Sequence, residues 1–118
     1  MGEKKYKWYK VAEFEAGMDC FVNGIAVVEV RKKKICVTKF QNKWFGFAYK
    51  CPHAGGILAD GCIDIGGNVV CPVHRYKFNI MNGRDTGGEG YYLKTYPVES
   101  RPDGIFVGIE EGGLFDWL

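Results

Sequence analysis

Cys51-Pro52-His53-Ala54-Gly55-Gly56 and, further on, Cys71-Pro72-Val73-His74 hold the only two histidines of the chain, each beside a cysteine. Residues 54–70, seventeen in all, separate His53 from Cys71. That is enough for a hairpin, so two loops can meet at one tip and offer two thiolates and two imidazoles to a common site. Proline directly after each cysteine restricts the backbone there, and Gly55-Gly56 lets the main chain approach a bound group with no side chain in the way.

Outward from these loops the chain reads as short strands. Runs rich in β-branched and aromatic residues cover Trp8–Val11, Ile25–Val30, Ile35–Phe40, Trp44–Tyr49, Val69–Cys71, Tyr91–Lys94, Val98–Arg101 and Ile105–Ile109. Turn signals lie between them at Asn23-Gly24, Gly66-Gly67-Asn68, Asn82-Gly83 and Pro102-Asp103-Gly104. In the run 35–40 the alternation is imperfect: Ile35, Val37 and Lys39 on one side stand against Cys36, Thr38 and Phe40 on the other, as for a strand with apolar matter on both faces. No long helical period appears. The expected fold is all-β, an antiparallel β-sandwich or small barrel in which residues 1–118 form one domain.

Composition excludes several classes. Apolar residues at 47% support a packed core and argue against disorder. A net charge of +2 is too small to suggest nucleic-acid binding. The N-terminal stretch has charges but no following apolar segment, no run approaches a membrane span, and Tyr6 stands where a myristoylation signal wants Ser or Thr. Five cysteines, an odd set without disulfide-scaffold spacing, favour a reducing compartment. The expectation is a cytoplasmic, membrane-free monomer.

Cys-x-His, seventeen residues, then Cys-x-x-His is similar to the two-box signature of the Rieske iron-sulfur proteins. Leu58 and Gly61 after the first box, and Tyr76-Lys77-Phe78 with Asn82-Gly83 after the second, extend the resemblance, which runs from about Trp44 to Ile109. It implies a Rieske-like fold with a two-loop cluster-binding subdomain, loops at about 50–57 and 70–78, and one [2Fe-2S] cluster. By position, Cys51 and Cys71 would hold the buried iron and His53 and His74 the outer one. With imidazoles replacing thiolates on one iron, such a cluster carries less negative charge and reduces more easily.

Departures from the family pattern are informative. Cytochrome-complex members carry two further cysteines that form a disulfide at the positions of Gly56 and Val73, and both are missing here. Tyr76 and Phe78 stand where high-potential members commonly have Ser and Tyr, which removes hydroxyl hydrogen bonds to the cluster. The expected potential therefore lies near the low end of the range of about −150 to +300 mV. Arg75 occupies a position where glycine is frequent.

The function expected from the resemblance is a ferredoxin-type one-electron carrier, not an enzyme, passing electrons from a flavoprotein reductase to an oxygenase. With both histidines spent, no nucleophile retains a histidine base. One alternative is a small subunit of a nitrite-reductase-like complex; another is a zinc-stapled binding module, since two cysteines and two histidines also suit zinc. Cys20, Cys36 and Cys62 read as small hydrophobes, with Cys62 the first to test for reactivity. Arg31–Lys34 fits a solvated hairpin end better than a docking patch, and the apolar tail 114–118 is expected to pack back on the sandwich.

Overall fold

The computed structural model describes residues 5–13, 23–53 and 55–111. Among the described residues nine strands follow in order: β1 (Tyr6–Ala12), β2 (Ile25–Val30), β3 (Lys33–Phe40), β4 (Lys43–Ala48), β5 (Cys62–Ile63), β6 (Asn68–Val70), β7 (Lys77–Asn79), β8 (Thr95–Arg101) and β9 (Gly104–Glu110). They form a curled six-stranded sheet, β1-β9-β8-β4-β3-β2, and a three-stranded sheet, β5-β6-β7. All the strand pairings are antiparallel. Among the described residues no helix is long and apolar enough to cross a membrane.

Two tight hairpins build β2-β3-β4. Val30 pairs with Lys33 and Phe40 with Lys43, leaving two-residue turns at Arg31-Lys32 and Gln41-Asn42, all four at positive φ. Such turns match the strand twist, although glycine or asparagine usually fills them. β8 changes partner halfway: Thr95–Pro97 pair with β4, whereas Val98–Arg101 pair with β9. Pro97, which has no N–H to give a ladder, sits at that change, and there the sheet can curl.

The double-faced reading of residues 35–40 holds. Ile35 and Val37 pack with Ala26, Val30, Ile105 and Val107 in one core. Cys36 packs on the opposite side, in a second core with Phe47, Leu58, Val69 and Phe78 that also takes in Cys51 and Cys71. The second core is what fastens the two cysteine loops to the large sheet. Each fully buried aliphatic or aromatic side chain in it contributes about 1.5–3 kcal/mol.

Three expectations need correction. Tyr91–Lys94 is not a strand: only an isolated bridge joins Arg84 to Tyr92, both tyrosines are exposed, and of that stretch only Leu93 is buried. The run 98–101 begins earlier, at Thr95. The two-residue strand β5 gave no run long enough to read. Cys20 and the tail 114–118 lie outside the described residues.

Candidate metal centre

The first loop leaves β4 and is closed by backbone bonds. Cys51 N–H donates to Gly56 O (2.8 Å), Gly55 N–H to Cys51 O (2.8 Å), and Leu58 N–H to Tyr49 O (2.9 Å). A 3-10 turn at Leu58–Asp60 follows, with Leu58 fully buried. From across the chain, Asn23 Nδ2 donates to Ala59 O (2.6 Å) and Gly61 O (2.7 Å), pinning that turn. The second loop spans the β6-β7 hairpin, where Cys71 N–H donates to Tyr76 O at 2.7 Å. His74 and Arg75 both take left-handed conformations, φ 63° and 56°, to turn the chain back. Glycine would take that backbone at position 75 without strain, whereas Arg75 does not.

The loops pack tightly against each other. A Cβ built on Gly56 would lie 2.8 Å from Val73 Cγ2 and 3.0 Å from Cys71 Sγ. Gly56 and Val73 are therefore neighbours, joined by a glycine–valine contact.

The four donors fall into two pairs. Cys51 and Cys71 are buried, with free thiols. Burial pushes the Cys71 thiol up, the Val73 N–H that donates to its sulfur (3.4 Å) works the other way, and Cys51 adds to the rise. His53 and His74 lie further out, half-buried and exposed, with ring centroids 6.2 Å apart and planes at 80°. Among the described residues no three such side chains surround a single ion position.

His53 Nδ1 is buried and has no hydrogen-bond partner. A ring nitrogen shut away from water and left unpaired is costly, and a metal bond would satisfy it. Tyr76 stacks on the same ring with centroids 3.7 Å apart, and Tyr91 meets it edge-on at 5.0 Å. The Tyr76 hydroxyl donates to Glu89, whose carboxylate holds the phenol protonated, pushed up to about 12. Phe78, fully buried, has no hydroxyl.

Tyr91 and Glu89 were missed by sequence reasoning. The signal was the stretch Gly87-Gly88-Glu89-Gly90 before two tyrosines, which describes a loop carrying aromatics better than a strand. Of the other cysteines, Cys36 is fully buried, and burial with the nearby Asp60 charge pushes its thiol up to about 12. Cys62 is exposed on β5.

A curled all-β sheet carrying two Cys-His loops at one tip defines a small iron-sulfur domain. The chain belongs to the Rieske [2Fe-2S] domain family, whose sequence profile matches residues 5–97, and its cofactor is the family's Rieske-type cluster. It is 32% identical over 80 residues to the nitrite reductase [NAD(P)H] of Emericella nidulans, covering 60% of this chain but only 7% of that enzyme. It is 24% identical over 78 residues to the 3-phenylpropionate/cinnamic acid dioxygenase ferredoxin subunit of Photorhabdus laumondii, covering 65% of this chain and 74% of that one. Among solved structures, a putative NADH-dependent nitrite reductase small subunit from Mycobacterium tuberculosis superposes with TM-score 0.77 at 16% identity, covering 92% and 99% of the two chains. A chain from the complex of reduced oxygenase and oxidized ferredoxin in carbazole 1,9a-dioxygenase gives 0.73 at 23%, covering 90% and 96%.

Proposed function

We propose that this chain is a one-electron carrier, a single domain and a monomer working in the cytoplasm, in which Cys51 and Cys71 hold the inner iron of the cluster and His53 and His74 the outer one. The observation that carries the ligand assignment is the buried, unpartnered Nδ1 of His53, held beside His74 on the two loops that also carry the buried thiols of Cys51 and Cys71. The bound cluster supplies reversible one-electron chemistry, and imidazole ligation makes it easier to reduce than an all-thiolate one. Cys51 and Cys71 give up their protons to bind it. Tyr76 fixes the plane of the His53 ring by stacking, Leu58 and Phe78 keep water from the sulfur side, and exposed His74 is an edge that a partner can reach.

The partners that fit are a flavoprotein reductase as donor and an oxygenase as acceptor. Support comes from the likeness to a dioxygenase ferredoxin subunit along 74% of its length and to a ferredoxin found in complex with its oxygenase. A second reading, the small subunit of a nitrite-reductase complex, is favoured by the 32% identity to the Emericella enzyme. Pull-down from native cells followed by stopped-flow mixing with a flavoprotein reductase separates the two. A transient complex with fast cluster reduction supports the carrier; a complex that survives gel filtration with a large nitrite-reducing subunit supports the second reading.

A further inference from the structure

Lys32, Lys33 and Lys34 do not stand alone at the β2-β3 hairpin end. Lys50, from the end of β4, and Lys94, from the approach to β8, line the same groove, an open trough of about 660 Å³, with Glu29 as its one acid among the lining residues. All five lysines are exposed. Two are held over tyrosine faces that form the floor: Lys34 Nζ lies 5.1 Å from the Tyr49 ring centroid and Lys94 Nζ 5.7 Å from that of Tyr96. Such contacts orient an ammonium group while leaving its remaining hydrogens free to bond outward. Lys50 immediately precedes Cys51, so the groove borders the first cluster loop.

We propose that this groove is the docking face for a redox partner that presents an acidic protein surface. The residue type fits discrete carboxylates, because lysine is a compact charge that pairs with single anionic groups at whatever angle they approach. The pattern fits a protein better than a polyphosphate or an anionic membrane. Glu29 stands opposite Lys34 in the β2-β3 register, and Glu110 lies 3.8 Å from Lys94, so the positive field is broken by carboxylates at defined places. The net charge of only +2 likewise gives no broad field for a polyanion, yet a local patch suffices to steer a complementary protein surface and raise its on-rate. The assignment of the partner as a redox protein rests on the electron-carrier reading; the groove's preference for carboxylates does not.

The test uses isotope-labelled oxidised holoprotein titrated at low salt with poly-L-glutamate, and in parallel with an oligothymidylate and with phosphatidylserine vesicles. Amide shifts should concentrate on Lys32–Lys34, Lys50 and Lys94. Binding should weaken at least fivefold in Lys33→Glu and less than twofold in Lys43→Glu, the same single charge reversal at the other end of β3 in the β3-β4 hairpin. Equal weakening in both variants, shifts spread over all lysines, no binding at low salt, or tighter binding of oligonucleotide or vesicles than of polyglutamate would each overturn the proposal. The paramagnetic signal of the same samples after reduction separates the two levels. Its absence with polyglutamate binding intact strikes the carrier reading alone, and the converse strikes the docking face alone.

Discussion

A methyl group at position 56 has nowhere to go: its carbon would meet Val73 Cγ2 at 2.8 Å and the Cys71 sulfur at 3.0 Å. Real carbon contacts at that first distance force a shift, and both neighbours belong to the opposing loop. Gly56→Ala should therefore push the loops apart, costing roughly 1–3 kcal/mol as overpacking does, and lower the iron retained per chain. Iron assay and thermal melting on the same preparation check this; unchanged iron content would show that the loops meet more loosely. Two residues, His74 and Arg75, take left-handed backbone conformations at a cost of roughly 1–2 kcal/mol each, which the surrounding hairpin must offset.

The second loop hangs on the small sheet β5-β6-β7, and that sheet is fastened at its far turn by Asp64. Its Oδ1 accepts from Gly66 N–H (3.0 Å) and Asn68 N–H (2.9 Å), and Lys77 on β7 lies 3.3 Å from Oδ2. Burial alone would raise the carboxyl, but the donors from Asn68, Lys77 and Gly66 outweigh it and hold the acid below its ordinary value. A depressed folded-state value means that the contribution is complete above the unfolded value of about 3.9 and is lost as pH falls through the folded one. Asp64→Asn should be about 1 kcal/mol less stable than the parent at pH 7, the difference closing toward pH 3. Denaturant unfolding at the two pH values measures it, and a difference that persists undiminished at pH 3 would contradict the role. At this level the sequence was legible where strands are long and rich in β-branched residues, as in β2, β3 and β9. It was misleading at Tyr91–Lys94, because Tyr91, a residue of high strand propensity, serves there as a ring contact to both His53 and Tyr76, while Tyr92 stands exposed. β5 was invisible because two residues carry no period, and Pro97 hid the first half of β8. The proposed donor set is the one the sequence suggests, since the chain's two histidines each lie within three residues of a cysteine; the tyrosine packing on His53 was not legible, because it depends on where the 85–91 loop folds back.

Over the whole molecule, two cores on opposite sides of β2-β3 divide the work. One closes the large sheet; the other seats the cysteine loops so that sulfur faces inward and imidazole outward. With Tyr76's hydroxyl given to Glu89 and no hydroxyl on Phe78, the reduced state lacks two stabilising donors. A potentiometric titration should place the midpoint near the low end of about −150 to +300 mV, and a value well above about +100 mV would require hydroxyl hydrogen bonds to the sulfurs beyond the Val73 N–H bond to Cys71. The convergence of Cys51, His53, Cys71 and His74 on one pair of irons is decided by electron–nuclear double resonance on the dithionite-reduced protein, with iron and acid-labile sulfide counted in parallel. Two irons, two sulfides and couplings from two imidazole nitrogens, one of them lost in His53→Cys, are expected. A colourless protein with one zinc and no sulfide, prepared anaerobically with iron supplied, would contradict the assignment.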